Sequence, residues 1–461
     1  MKYKFFDKEP HFYSNVITLA LPIALQSLIT VGVNMLDTMM LGNLSEDALS
    51  AASLANSFIS IYQIFCMGLG MGASVLVSRY YGMKKSGDEP GKAAHALKQT
   101  ICLMLRLTLL LAAFFAIATA LIPDLIMSTY TERPEIIRLG AVYFKWSVVT
   151  YFFLGASLTT TIALRSVRQV KLPLFVSIGA FFINLGANYI FIFGKLGAPR
   201  LEVAGAALGT LIARIFEFSM IVGYLFLKDK EIMFRFKDLT MKTASLLSEY
   251  IRICIPVLIS DGILAIGNNA VSVIIGRLDM AAANAITVAT QQLSTCAVQG
   301  VSQAGAIVTG QTLGTGKKEQ TMKQGYLFFG LGLALGLFSA LFILALKNPI
   351  IDFYKEVGPE TKAIANRLMM AISLIMIFQA TNSIMTKGVL RGGGDTKMLM
   401  LADNIFLWVV SIPLGIVAGF VFHLSPFWIY ICLKFDQIIK TFWSYLRLRS
   451  GKWIKKITTG R

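Results

Sequence analysis

Charge is scarce in this chain. Of its 461 residues only 15% are Asp, Glu, Lys or Arg, against about 25% in an ordinary soluble domain, while 56% are hydrophobic and mean hydropathy is +0.67. A water-soluble fold of ordinary composition is excluded. The three histidines, His11, His95 and His423, fall at or beyond the ends of apolar stretches, with neither metal-ligand nor proton-relay spacing. The five cysteines, Cys66, Cys102, Cys254, Cys296 and Cys432, lie within apolar stretches without a CxxC pair, which leaves no readable disulfide framework or zinc site. They are expected to be small buried apolar side chains. Residues 310–318, GQTLGTGKK, lack the glycine spacing and the Ser/Thr of a phosphate loop, so nothing suggests ATP hydrolysis. No cofactor, metal site or enzyme activity is expected. A secretory signal is missing as well: the first apolar stretch is far longer than a signal core and no small-residue cleavage site follows it, so it is expected to stay in the mature protein.

Long apolar runs are plentiful instead. Twelve are predicted, at residues 14–42, 50–78, 99–123, 139–163, 172–194, 203–227, 250–276, 284–312, 324–346, 364–386, 399–421 and 426–446. Each is about the 20 residues that cross roughly 30 Å of hydrocarbon at 1.5 Å per residue. The expected fold class is an all-α integral membrane protein of twelve transmembrane helices.

The net charge of +18 resolves once the basic residues are placed by loop. The segment before the first stretch, every even-numbered loop and the C-terminal tail together hold 29 Lys and Arg, among them Lys84, Lys85, Arg165, Arg391 and Arg447, whereas the opposite loops hold nine. By the positive-inside rule both termini are cytoplasmic in a multi-pass protein of the cell membrane. Topology and anionic lipid thus account for the basic balance, and no nucleic-acid partner is expected.

The stretch Pro22–Gly42, PIALQSLITVGVNMLDTMMLG, recurs as Pro256–Gly276, PVLISDGILAIGNNAVSVIIG, with Asn34 and Asn268 in register. A second anchor follows the fourth stretch, where LRSVRQVK at 164–171 matches LRGGGDTK at 390–397. The chain therefore divides into an N-terminal six-helix lobe (1–227), a charged cytoplasmic linker (228–249) and a C-terminal six-helix lobe with a basic tail (250–461). Because each half crosses six times, both enter from the cytoplasm, and the two bundles are expected to be related by pseudo-two-fold symmetry about the membrane normal. Transporters that rock two halves are built this way. Glycines at 68, 70 and 72, and at 332 and 336, have the small-residue spacing of close helix contacts.

An ionisable side chain within a membrane helix costs about 3 kcal/mol on insertion scales, so each needs a reason. Asp37 has no cationic neighbour at three or four residues' distance. It is read either as an interfacial, hydrated carboxylate or as a group that takes up a proton or ligates a cation with oxygen partners. Asn184 and Asn188, four apart on one helix face, and Thr210 offer such oxygens, with plain interhelical hydrogen bonding as the alternative. In the C-terminal half Asp261, five residues after Pro256, and the polar Gln379 and Asn382 form a possible second site. Arg214 with Glu217 and Asp436 with Lys440 have helical ion-pair spacing. Arg106 and Lys145 can snorkel, and Asp403 lies so near the end of its stretch that hydration at the interface is expected.

Jointly these residues resemble the multidrug and toxic compound extrusion (MATE) transporters over nearly the whole chain. The resemblance rests on Pro22, Asp37 and Gly42 in the first stretch, the R-x5-K loop in both halves, LRGGGDTK at 390–397 and GAALGT at 205–210. It implies two six-helix bundles around a central cavity and cation-coupled antiport of amphipathic organic cations, with Asp37 as the N-lobe ion carboxylate and Asn184, Asn188 and Thr210 beside it. One branch of the family has Asp where this chain has Asn188. The expected function is a secondary antiporter, a monomer in the lipid bilayer, exporting drugs or toxic organic cations in exchange for Na+ or H+. The runner-up is a flippase for a lipid-linked saccharide, which calls for more cationic residues in the cavity than Arg106, Lys145 and Arg214.

Overall fold

Prolines set where many of the helices begin and bend. The computed structural model describes Glu9 and residues 11–42, 45–86, 89–353 and 358–455. Lys2, Lys4, Lys8, Lys355, Lys456 and Arg461, counted above for topology, lie outside them. The regular structure of the described residues is all helical, with no strand. In chain order the helices are α1 (Phe12–Gly42), α2 (Glu46–Ser86), α3 (Pro90–Leu121), α4 (Pro123–Ser128), α5 (Pro134–Ser147), α6 (Thr150–Ser166), α7 (Lys171–Phe193), α8 (Glu202–Leu227) and α9 (Ala244–Arg277). They continue with α10 (Ala281–Gly314), α11 (Lys318–Phe353), α12 (Pro359–Ser383), α13 (Thr396–Ile405), α14 (Ile412–Ile416), α15 (Pro426–Leu433) and α16 (Phe435–Ser450). Pro123, Pro134, Pro359 and Pro426 each occupy a first turn, where the missing N–H costs nothing. Pro22, Pro256 and Pro349 instead lie inside α1, α9 and α11, where each removes a ladder hydrogen bond. Wide π-turns at Ile384–Leu390, Phe406–Ser411 and Val417–Val421 extend α12 and join α13 to α14 and beyond.

Nine of the described helices are long and apolar enough to cross a membrane, or ten if α5 and α6, bent by 59° at their junction, count as one span. The two other expected crossings are helical as well. Residues 284–312 fall in the 34-residue α10, whose hydropathy is lowered by Gln291, Gln292, Gln299 and Gln303. Residues 426–446 fall in α15 and α16, broken at Lys434.

The described residues form two compact units. One comprises the residues up to Ala24, Ser78–Pro90 and those from Ile251 onward; the other comprises Leu25–Val77 and Gly91–Tyr250. In the first, Phe12 packs edge-on against Phe328 at 5.0 Å between ring centroids, and Glu9 accepts hydrogen bonds from Gln320 and Gln324 at 2.6 and 3.1 Å. These contacts hold the start of α1 to α11. Gly332 and Gly336 do what their spacing predicted: a Cβ on either would lie 2.9 or 2.7 Å from the α12 backbone at Thr381 and Ile377, so α11 and α12 run in close contact. The second unit is cored by aromatic rings, with buried Tyr62 against Phe115 and Tyr151 and its hydroxyl donating to the Tyr151 carbonyl over 2.7 Å.

The segment after α8 is tied down by carboxylates. Buried Asp229 accepts from the Gln169 side chain and from the backbone amides of Ile232 and Met233 at 2.6, 2.7 and 2.9 Å. Asp238 pairs with Lys98 of α3 at 2.9 Å and accepts the Arg235 amide at 2.8 Å. Burial alone would push the Asp238 carboxyl upward; these bonds outweigh it and hold the group below the usual carboxylate range.

The LRGGGDTK motif anchors the C-terminal segment. Asp395 is buried and receives Nε and Nη2 of Arg447 at 2.7 and 3.1 Å and Lys455 at 3.3 Å, while Gly393 lies against the fully buried Trp453. Its first arginine bonds inward in both halves. Arg165 donates to Gln26, four residues past Pro22, and Arg391 donates to Asp261, five residues past Pro256, at 3.2 Å. The sequence repeat is therefore also a repeat of loop-to-helix contacts.

Candidate functional site

Asp37, Asn184 and Asn188 come together, and Thr210 lines the cavity they border. Asn188 on α7 donates Nδ2 to Oδ1 of Asp37 on α1 over 2.6 Å, and also lies 3.3 Å from Oδ1 of Asn184, one turn earlier on its own face. Asn188 is fully buried, Asn184 nearly so, and Asp37 half-buried. The carboxylate and the Asn184 oxygen satisfy the Asn188 amide group, which would be costly to bury without a partner. The Oδ1 of Asn188 is itself buried with no hydrogen-bond partner among the described residues. That oxygen lies against Gly209 of α8, and it is the Nδ2 that meets the carboxylate.

This cluster borders an open cavity of about 560 Å3 lined by α1, α2, α5, α6, α7 and α8. α8 contributes Thr210, Arg214 and Glu217, which share one helix face by their spacing of four and three. Arg214 and Glu217 form the ion pair their spacing predicted, Nη1 to Oε2 at 2.5 Å. Tyr143 of α5 also lines the cavity and donates its hydroxyl to Asn56 of α2 over 3.2 Å. Neither Tyr143 nor Asn56 was picked out from the sequence. Asn56 sits on a face of α2 with Ser50, Ser53, Ser57 and Ser60, and that polar stripe along an otherwise apolar span was the available signal.

The C-terminal candidates are engaged with separate partners. Asp261 pairs with Arg391, Gln379 accepts from Gln291 at 2.8 Å, and Asn382 donates to Gln437 at 2.7 Å. Asp403 departs from expectation. It is not hydrated at an interface but 4% exposed, 3.2 Å from the ammonium of Lys440, which also pairs with Asp436 at 3.0 Å. Ser260 donates to Asp403 and Gln437 donates to Asp436, at 3.0 and 2.7 Å, so the ammonium is enclosed by two hydrogen-bonded carboxylates. The pairing of Asp436 with Lys440 was legible as an i,i+4 spacing; the third member, on α13, was not.

The chain is similar over nearly its whole length to known proteins. A probable multidrug resistance protein NorM of Thermotoga maritima is 27% identical, covering 99% of this chain and 96% of its own length. An uncharacterized transporter, YisQ, of Bacillus subtilis is 24% identical over 96% of this chain and 95% of its own. Among solved structures, a multidrug resistance MATE family transporter in an outward-facing conformation superposes with a TM-score of 0.83 at 17% identity, covering 95% of this chain and 96% of that one. A transporter of the same superfamily from Pyrococcus furiosus, described as having a binding pocket of reversed polarity, gives 0.83 at 16% identity over the same shares. The twelve-helix, two-bundle plan expected from the sequence is consistent with that fold. The MatE family profile matches residues 22–190 and 256–417, taking in Asp37, Asn184 and Asn188 and both copies of the repeat, and the chain belongs to this family of membrane transporters.

Proposed function

We propose that the chain is a multidrug efflux transporter: a secondary antiporter that exports drugs or toxic organic cations in exchange for Na+ or H+ by alternating access. The observation that carries this is the half-buried Asp37, bonded to Asn188 at the wall of an open 560 Å3 cavity. The relatives named for multidrug resistance support the same export role. One carboxylate that either a coupling ion or a cationic substrate can occupy makes their binding mutually exclusive, and that is enough to couple the two fluxes. The basic loops support cytoplasmic termini, and in this reading substrate leaves toward the opposite face. A flippase for a lipid-linked saccharide fits less well. Asp37, Arg214 and Glu217 give the charged wall of the cavity a sum of one negative charge, which repels a pyrophosphate.

The test is ethidium efflux from cells expressing the protein, with a Na+ gradient and a pH gradient imposed separately. Efflux above the empty-vector control under one gradient supports the antiporter and names its ion. Efflux indifferent to both gradients contradicts it.

A further inference from the structure

Arg214 has no part in a scheme built on Asp37 alone, yet it stands near the middle of a membrane-spanning helix. It is the thirteenth residue of the 26-residue α8, roughly 20 Å from either end at 1.5 Å per residue, too deep to snorkel to an interface. Pairing with Glu217 lowers the cost of burial but does not explain the pair, because apolar side chains of similar volume usually serve stability as well or better. Both residues instead open onto the cavity that Asp37 borders, with Arg214 27% and Glu217 17% exposed. Glu217 engages Nη1 of Arg214, and a guanidinium carries five N–H donors in a planar fork. The stripe of α2 formed by Ser50, Ser53, Asn56, Ser57 and Ser60 gives the same cavity a wall of hydroxyls and an amide. A cavity meant only for lipophilic monocations needs carboxylates and apolar walls; a guanidinium beside Asp37 works against such a ligand.

We infer that Arg214 is a specificity-determining residue that binds a carboxylate on the substrate, so that the cavity selects amphoteric organic cations over monocations of the same size. The cationic end of the substrate occupies Asp37 and displaces the coupling ion, while its carboxylate shares the Arg214 fork with Glu217. Polar groups along the body of the substrate meet the α2 stripe. This rests on the export role proposed above and names the substrate class of the same cavity.

The test uses two dyes that differ only at one carboxyl: rhodamine 110, a zwitterion, and its methyl ester rhodamine 123, a monocation. Binding to the purified full-length protein in nanodiscs is followed by fluorescence polarisation for wild type and for the double variant Arg214→Gln/Glu217→Gln, which leaves the summed charge of the cavity unchanged. The expected result is that wild type prefers the acid and that the double variant loses the preference by roughly tenfold or more, the size of one charged hydrogen bond. If wild type binds both dyes equally and the variant keeps that ratio, the pair is a helix-internal ion pair; the inference is overturned while the export role stands. If wild type binds neither dye, both fall together. Should the double variant fail to fold, Arg214→Lys takes its place, keeping the charge and losing the fork. A lowered acid preference then supports the inference, and an unchanged ratio overturns it.

Discussion

The bond from Nδ2 of Asn188 to Oδ1 of Asp37, 2.6 Å long, ties α7 to α1 across 151 residues of sequence. It fixes the Asp37 carboxylate against an amide whose own buried oxygen has no partner among the described residues. Occupancy of Asp37 is therefore felt directly by the packing of α1 on α7, and the first predictions concern that contact.

Asn188→Leu keeps the side-chain volume and removes the donor. Loss of the bond costs about 1–3 kcal/mol where a buried polar group is left unpaired. The expected outcome is a folded protein with impaired gradient-driven efflux and a lowered melting temperature in detergent. Efflux equal to wild type would show that Asp37 does not need this partner.

Gly209 of α8 faces the same amide. A Cβ there lies 2.1 Å from Oδ1 and 3.1 Å from the backbone nitrogen of Asn188, so Gly209→Ala forces Asn188 to turn away from Asp37. Overpacking of this kind costs about 1–3 kcal/mol. Gly209→Ala is expected to reproduce the transport defect of Asn188→Leu, and the double variant to be no worse than either alone, since both act through one contact. Additive defects would place Gly209 outside this pathway.

Lys440 is 2% exposed between Asp403 and Asp436. Lys440→Met strands two carboxylates in the interior and is expected to destabilise the protein by about 3–5 kcal/mol. Adding Asp403→Asn and Asp436→Asn to it removes the stranded charges and is expected to restore most of the loss, read as monodispersity and melting temperature by size-exclusion chromatography. A triple variant no better than Lys440→Met alone would mean that hydrogen bonding rather than charge balance holds this cluster.

How far the site was legible depended on whether its partners shared a helix. Asn184 with Asn188 and Arg214 with Glu217 were readable because a spacing of three or four residues puts side chains on one face, and Asp37 because a lone acid in an apolar run demands an explanation. Tyr143 and Asn56 bond across 87 residues from different helices, and no periodicity announces such a pair. Asp403 was misjudged for a related reason. Distance from the end of an apolar run measures depth along one helix, whereas the ammonium that keeps Asp403 dry comes from α16, 37 positions later in the chain. The repeat made the architecture readable, since both copies carry the Pro-to-Gly stretch and the R-x5-K loop. The expected spans 284–312 and 426–446 were read from their apolar length, and they fall in α10 and in the broken α15 and α16.

The segment after α8 has a pH dependence of definite sign. The Asp238 carboxyl binds its proton more weakly in the folded protein than in the unfolded chain, so its contribution is complete above the ordinary value of 3.8 and is lost as the pH falls through the lower folded value. Asp238→Asn imitates the protonated form at neutral pH. Hydrogen exchange around residues 235–243, corrected for intrinsic rates, is expected to rise in wild type on acidification below 3.8 and in Asp238→Asn at pH 7. Unchanged protection in the variant would show that the Lys98 contact does not pin the segment.

The central claim is that Asp37 couples ion to substrate, and it is tested most directly by substrate flux in proteoliposomes containing wild type or Asp37→Asn, with each gradient imposed in turn. The account predicts that the folded variant loses gradient-driven ethidium flux by roughly 5–150-fold, the range of a typical coupling free energy. Flux by Asp37→Asn equal to wild type under the same gradient contradicts it.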